Sequence, residues 1–504
     1  MQATQLTMNP SVAAQVPAAA LDQGSAGGMA SDKAARRLCI EEARAMLEAA
    51  YARLPAGYFD GKNAGTYMFN NIFRLVERYP AQPRAAVERV IRESVASADV
   101  VGLYAGVPWC EQICSFCNFA YSTSNSQETH EAYLHSILEE LRHLRALGLP
   151  RVNSLYFGGG TPTVLSDELF ARYLGSMIAA IDLVDKAGIT CEATTNTLTA
   201  TKMNLMLQLG VNRLSMGIQS LDDRVREQAK LRGSASEARA AVEAACERFK
   251  MVNVDLIYGH PFQSLESWHD SVEQCAELLV PSITLYRLEV KERTSNLKLY
   301  KRERGLFHEE LAARQQYFVA KLLLERHGYV EHPLGWWIRK EAYATDANWR
   351  QHLTGWGKAI PYIGVGQGAF SLSRNAYLEN PRQHSEWSRS VAAGEAPASV
   401  CREFGPEVSL MLQVMRTFRT AQRVALSEIA DPLKRFGLLE RVRRVLDRNL
   451  SYGLLYQEQD QYVLTDAGRS LVHWLLDDLV EACQPPAAQT ARHESQQLTH
   501  RDTL

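Results

Sequence analysis

The chain has 504 residues, a length that suggests two or three domains, each able to bury its own core. Its 55 basic and 57 acidic side chains leave a formal net charge of −2, which excludes the basic excess of a general nucleic-acid binder. No apolar run approaches the roughly 18–20 residues that span a bilayer, and the N-terminus lacks the basic start and apolar stretch of a secretory signal, so a cytoplasmic protein away from membranes is expected. Residues 1–32, rich in Ala, Gln, Ser and Gly, read as a disordered tail. Residues 33–98 read as an N-terminal helical region, with helices from Ala34 onward, near Phe69–Glu77 and near Arg84–Ala96.

From residue 99 to 330 short apolar strands alternate with amphipathic helices. The strands are expected at Val101–Val107, Ser154–Phe157, Ile189–Ala193, Arg213–Ile218, Val252–Ile257 and Ser282–Glu289. Helices fit between them at Glu131–Leu147, Asp167–Asp182, Ala200–Leu209 and Ala235–Arg248. Repeated units of this kind imply a parallel sheet, and six are too few for a full eight-stranded barrel, so the α/β fold class is a partial (β/α)6 TIM-like barrel. Its active site belongs at the carboxyl ends of the strands. Residues 331–400 read as an α/β extension of this core. Residues 401–484 place helices at Glu407–Arg419, Ser427–Phe436 and Leu439–Ser451 before a short hairpin, a small winged-helix-like lobe. Residues 485–504 read as a second disordered tail.

The cysteines carry most of the information. Of nine, six are scattered and three, Cys110, Cys114 and Cys117, fall within eight residues after the first strand. Iron–sulfur clusters are held by thiolates, usually four. Three in one loop leave one iron with an open position, as catalytic metal sites require. A structural zinc site would want a fourth ligand, for which His130 is the nearest downstream candidate.

The C-x3-C-x2-C loop resembles the signature of the radical S-adenosylmethionine (SAM) superfamily, and further matches narrow the resemblance to the group around oxygen-independent coproporphyrinogen III oxidase. Tyr104, Phe116, the run Gly158-Gly159-Gly160-Thr161, Glu192, Gln219 and Asp255 match that group's SAM-site positions in order across about residues 101–370. The resemblance implies a [4Fe–4S] cluster on the three cysteines and a barrel of the radical SAM type. It also implies SAM bound through glycine backbone, through carboxylates at Glu192 and Asp255 and through Gln219. The group's carboxylate-binding arginine would fall at position 231, which is Leu; its neighbours are Lys230 and Arg232, and Arg232 is favoured because a planar fork suits a carboxylate. An electron donor such as flavodoxin or ferredoxin is implied as partner.

Three departures bear on the substrate. Gly106-Val107-Pro108 stands where the group has His-Ile-Pro, Phe119 replaces an extra cysteine, and Ala56-Gly57-Tyr58-Phe59 is the nearest counterpart of a tyrosine-rich N-terminal segment. These losses argue against porphyrinogen decarboxylation and favour the C-methyltransferase and cyclopropanase relatives of natural-product pathways. Such relatives use two SAM molecules, the second supplying a methyl or methylene group to an sp2 carbon. A second SAM site is then expected near Gln351 and the Gly364 and Gly366 turn, with Tyr286, Arg287 and Glu289 facing the substrate and Tyr104, Tyr286 and Glu289 in the catalytic set. A tetrapyrrole enzyme or a heme chaperone is the alternative. The C-terminal lobe, rich in Leu and with Trp356 and Trp387 nearby, is expected to serve as a lid that excludes water.

Overall fold

The computed structural model describes residues 28–60, 70–96, 98–119, 122–123, 126–345 and 360–483. All six expected strands form: β1 (Val100–Val107), β2 (Arg151–Gly159), β3 (Leu183–Thr194), β4 (Arg213–Gln219), β5 (Val252–Tyr258) and β6 (Ser282–Arg287). They pair in parallel in sequence order. Their apolar runs are buried on both faces, as strands covered by crossover helices must be. Most connecting helices start on a Ser, Thr or Asp whose side chain accepts a backbone N–H, as Ser126, Ser166, Thr199 and Ser264 do.

The sheet extends beyond the six units. On one side β9 (Tyr362–Val365) adds in parallel to β1, and β10 (Phe370–Leu372), β11 (Ala376–Glu379) and β12 (Val400–Glu403) follow antiparallel. On the other, β8 (Trp336–Arg339) pairs antiparallel with β6 and β7 (Tyr329–Glu331) with β8. The result is a twelve-stranded sheet whose two edges are β12 and β7, an open TIM-like partial barrel with an α/β extension.

A helix at Pro406–Ala421 leaves the β12 edge and reaches the β7–β8 edge, where Leu334 N–H donates to the Arg419 carbonyl (3.1 Å) and Gln422 Nε2 donates to the Glu331 carbonyl (2.9 Å). Its buried face (Val408, Met411, Leu412, Met415, Phe418) shares a second core with Leu334 and Leu372. The rest of the lobe has helices at Leu426–Arg435 and Leu439–Ser451 around the small antiparallel sheet of Arg423–Ala425, Leu455–Glu458 and Gln461–Leu464. The helix-then-hairpin pattern read from sequence is therefore present. The first described helix runs from Gly28 to Tyr51, so the expected tail yields its last residues to that helix. Among the described residues no helix is long and apolar enough to cross a membrane.

Candidate active site at the carboxyl ends of the strands

The loop after β1 carries Cys110, Cys114 and Cys117, all partly exposed. It is pinned from three sides. Cys110 N–H donates to the Ser122 carbonyl (3.2 Å), Ser115 N–H to the Ala229 carbonyl (2.9 Å), and Asn296 N–H to the Ser115 carbonyl (2.8 Å). The Cys110 sulfur lies 3.3 Å from the Thr161 hydroxyl. Burial pushes the Cys110 thiol up to about 11, against the Thr161 hydrogen bond, and the Cys114 thiol to about 12, with the neighbouring sulfurs adding to the effect. Binding of iron must therefore expel protons, which a cationic centre does. Three thiols presented by one loop, with the Thr161 hydroxyl beside Cys110, are the kind of donor set that holds an iron–sulfur cluster. His130 is buried against the Trp109 ring at 4.2 Å and serves packing.

Gly158, Gly159 and Gly160 end β2 beside this loop. Gly160 N–H donates to the Val107 carbonyl (2.6 Å) and Thr161 N–H to the Trp109 carbonyl (2.7 Å). A Cβ on Gly160 would overlap the Trp109 carbonyl, and one on Gly158 would sit 2.8 Å from Glu192 Oε2. The glycines thus seat the cysteine loop on the barrel; Gly159 alone of the three lines the cavity. Lys202, buried beneath, donates to the Thr163 carbonyl (2.7 Å) and fixes the turn that follows.

Glu192 on β3 accepts from the Tyr156 hydroxyl (2.6 Å) and from Gly159 N–H (3.2 Å), and burial raises its carboxyl to about 7. Asp255 on β5 is also raised by burial and accepts from Asn253 Nδ2 at 2.9 Å. Gln219 ends β4 with φ +63°, a strained backbone for a non-glycine residue. Its Oε1 is buried without a partner among the described residues, as is Asn118 Oδ1. Both residues line the same cavity as Glu192 and Asp255. Orphaned acceptors beside two carboxylates fit a ligand rich in hydroxyls and bearing positive charge, as SAM is.

The cavity, about 660 Å³, runs from Phe116 and Cys117 past these residues to a second end beyond β1. One wall is a row of rings. Tyr104 stacks on Tyr156 (6.0 Å between centroids) and meets Tyr362 (6.0 Å); Tyr362 meets Phe370 (5.4 Å), which meets Phe73 (5.6 Å). Arg382, Arg402 and Arg416 line the cavity too.

The structure does not gather every expected residue. Arg232 is exposed on the outer side of the cysteine loop, with Nη1 3.7 Å from Glu111 and Nε bonded to Gln112 (3.2 Å), and it does not line the cavity. Lys230 is exposed beside it. Gly364 and Gly366 are spent on packing: Gly364 N–H donates to Ser371 Oγ (3.0 Å), Gly366 N–H to Glu140 Oε2 (2.8 Å), and a Cβ on Gly366 would sit 2.5 Å from Tyr133 Oη. Their turn serves strand packing; Gly368, Ala369 and Phe370 reach the cavity instead. Trp387 is buried with its indole N–H on Glu140 (2.9 Å), a core residue and not a lid. Gln351 and Trp356 lie outside the described residues. Tyr286, Arg287 and Glu289 do line the cavity, with Arg287 bound to the Leu288 and His308 carbonyls and Glu289 3.1 Å from Lys291. Sequence reasoning missed Tyr156, whose position two residues before the glycines marks it as inward-facing, and Arg416, which carries no local motif.

Residues 104–275 match the family model described as the radical SAM superfamily. Heme chaperone HemW of Escherichia coli is 27% identical over 393 residues, 75% of this chain and 97% of that protein. HemW of Haemophilus influenzae is 33% identical over 201 residues, 38% of this chain and 52% of that protein. Among solved structures, coproporphyrinogen III oxidase (HemN) of Escherichia coli matches with a TM-score of 0.67 at 20% identity, covering 80% of this chain and 97% of that one. None of these three is a methyltransferase or cyclopropanase, so the expectation of group transfer draws no support from them.

Proposed function

We propose that this radical SAM chain, with its HemN-like fold, is an enzyme that directs SAM-derived radical chemistry at a flat, conjugated molecule of the tetrapyrrole class. The carrying observation is the row of rings from Tyr156 through Tyr104, Tyr362 and Phe370 to Phe73 along one wall of a single cavity. Such a wall offers stacking area to a planar ligand. The names of the curated relatives support the same class.

Cys110, Cys114 and Cys117 would hold the [4Fe–4S] cluster, which together with SAM supplies one-electron cleavage to a 5′-deoxyadenosyl radical. The chain's own groups do the rest. Thr161 orients Cys110; Gln219 Oε1 and Asp255 accept from ribose hydroxyls; Glu192 takes the ammonium, held in place by the Tyr156 hydroxyl. Tyr104, on the ring row beside Tyr156, separates that end from the aromatic end where the substrate lies.

Methyl or methylene transfer makes a separate demand, a second SAM. Of the residues expected to hold it, Gly364 and Gly366 are engaged in strand packing, so this reading is not adopted.

The test is anaerobic reconstitution followed by incubation with dithionite, SAM and coproporphyrinogen III, and in parallel with heme. Tetrapyrrole-stimulated 5′-deoxyadenosine, lost in Cys114→Ala, is the expected result. S-adenosylhomocysteine formed in step with 5′-deoxyadenosine would restore the transfer reading. Heme bound with no SAM cleavage from a loaded cluster would replace the enzyme by a carrier.

A further inference from the structure

The helix Pro406–Ala421 spans the opening between the two sheet edges, and Arg416 on it lines the cavity. Other basic groups on that wall have partners. Arg287 Nε is 3.5 Å from Glu310, Lys291 is 3.1 Å from Glu289, Arg382 bonds Glu379 at 2.8 Å, and Arg402 donates to the Tyr79 carbonyl. Arg416 forms no ion pair or side-chain hydrogen bond among the described residues, and its Nε is buried without an acceptor. Besides Glu289, two further carboxylates line this part of the cavity: Glu379 is engaged by Arg382 and Tyr377, while Glu77, on the stretch after the Asn70–Val76 helix, exerts no resolved effect on Arg416. Burial alone lowers the Arg416 pKa, to about 10, which leaves it cationic at neutral pH.

A half-buried guanidinium without a counter-charge is costly to maintain. Its fork of donors matches a carboxylate in plane and spacing. We propose that Arg416 receives a carboxylate of the substrate, so that the C-terminal lobe both closes the barrel and anchors what lies on the aromatic wall. The inference rests on the reading of this cavity as the active site and deepens it by naming an acidic substituent of the substrate. Arg416 is a binding and positioning residue, carried by the C-terminal helix and not by the strands that bear Glu192 and Asp255.

The test compares carboxylate and ester forms of two flat probes on the SAM-loaded, cluster-bearing protein: coproporphyrin III with its tetramethyl ester, and 1-pyrenebutyrate with its methyl ester, both followed by fluorescence. The wild type is expected to prefer the carboxylates by roughly tenfold or more. Arg416→Met is expected to remove the preference and Arg416→Lys to retain part of it, with cluster content and thermal midpoint confirming that each variant is folded. An equal acid-to-ester ratio in wild type and Arg416→Met, for both probes, overturns the proposal. Discrimination that depends on Arg416 for pyrenebutyrate, with no coproporphyrin binding, would sink the tetrapyrrole class and leave the carboxylate site standing.

Discussion

Two buried side chains, Glu192 in the cavity and His260 behind Phe116, have pKa values shifted by burial away from their ordinary ones. Glu192 has its carboxyl raised to about 7, chiefly by burial and further by Asp255. In the empty site a sizeable fraction is then protonated near neutrality. A cationic ligand favours the ionised form, so SAM binding should release a proton, and affinity should rise as pH increases from about 6 to 7.5. Calorimetry in buffers of different ionisation enthalpy would read the proton, and Glu192→Gln should flatten the pH slope. A slope that survives this substitution would remove Glu192 from the ammonium site. His260 is the second case. Its ring is fully buried 5.5 Å from Phe116, both nitrogens lack partners, and burial lowers its pKa to about 3. A neutral, unsatisfied imidazole wastes desolvation energy that an apolar side chain of similar size would not. His260→Leu is expected to stabilise the apo-protein by about 1 kcal/mol in denaturant titration. A destabilised variant would mean that the ring has a role in the chain that packing does not reveal.

At the scale of elements, the strands and the cysteine loop were legible because each is a local pattern. Apolar runs of four to eight residues separated by periodic helices specify parallel strands, and three cysteines in eight residues point to a metal loop. Glu192 and Asp255 were named through the family resemblance and not through position, and both line the cavity, Glu192 near the end of β3 and Asp255 in the middle of β5. What stayed hidden is non-local. The β9 pairing to β1, the use of Gly366 and the outward turn of Arg232 depend on partners more than a hundred residues away. The glycine run illustrates the difference. Its spacing suggested an approach to ligand, whereas Gly160 is fixed by the Trp109 carbonyl that its missing Cβ makes room for. Gly160→Ala should displace the cysteine loop and lower iron and sulfide content after reconstitution. Gly366→Ala, forced onto φ +101° against Tyr133, should cost about 1–3 kcal/mol of stability and leave the cysteine loop intact. The two variants separate a cluster-seating glycine from a strand-packing one.

On the scale of the whole molecule, the barrel is not closed by its own strands. The sheet ends at β12 and β7, and the gap is crossed by a helix from what the sequence presents as a separate lobe. Leu334 of the β7–β8 turn and Leu372 of β10 are buried in one cluster with Met411, Met415 and Phe418 of that helix. The N-terminal helix reaches the lobe as well, through the hydrogen bond of Tyr51 with Ser470 at 2.8 Å and through Tyr58 and Phe59 against Trp474. Arg314, beneath the barrel's last strands, donates to the Ser470 carbonyl at 2.6 Å and pairs with Glu310. Removing the lobe would uncover this apolar surface and deprive buried Arg314 of the Ser470 carbonyl and of His473, a change large against the 5–15 kcal/mol that holds a typical domain together. A chain ended after Gly405 should therefore fail to give a soluble, cluster-loading barrel. The full chain should unfold by scanning calorimetry in one transition with equal calorimetric and van't Hoff enthalpies. Two resolved transitions, or a truncated barrel that loads iron and cleaves SAM, would show that the lobe is an appendage. The seam helix would then have to be read as a cover over the cavity and not as part of its wall.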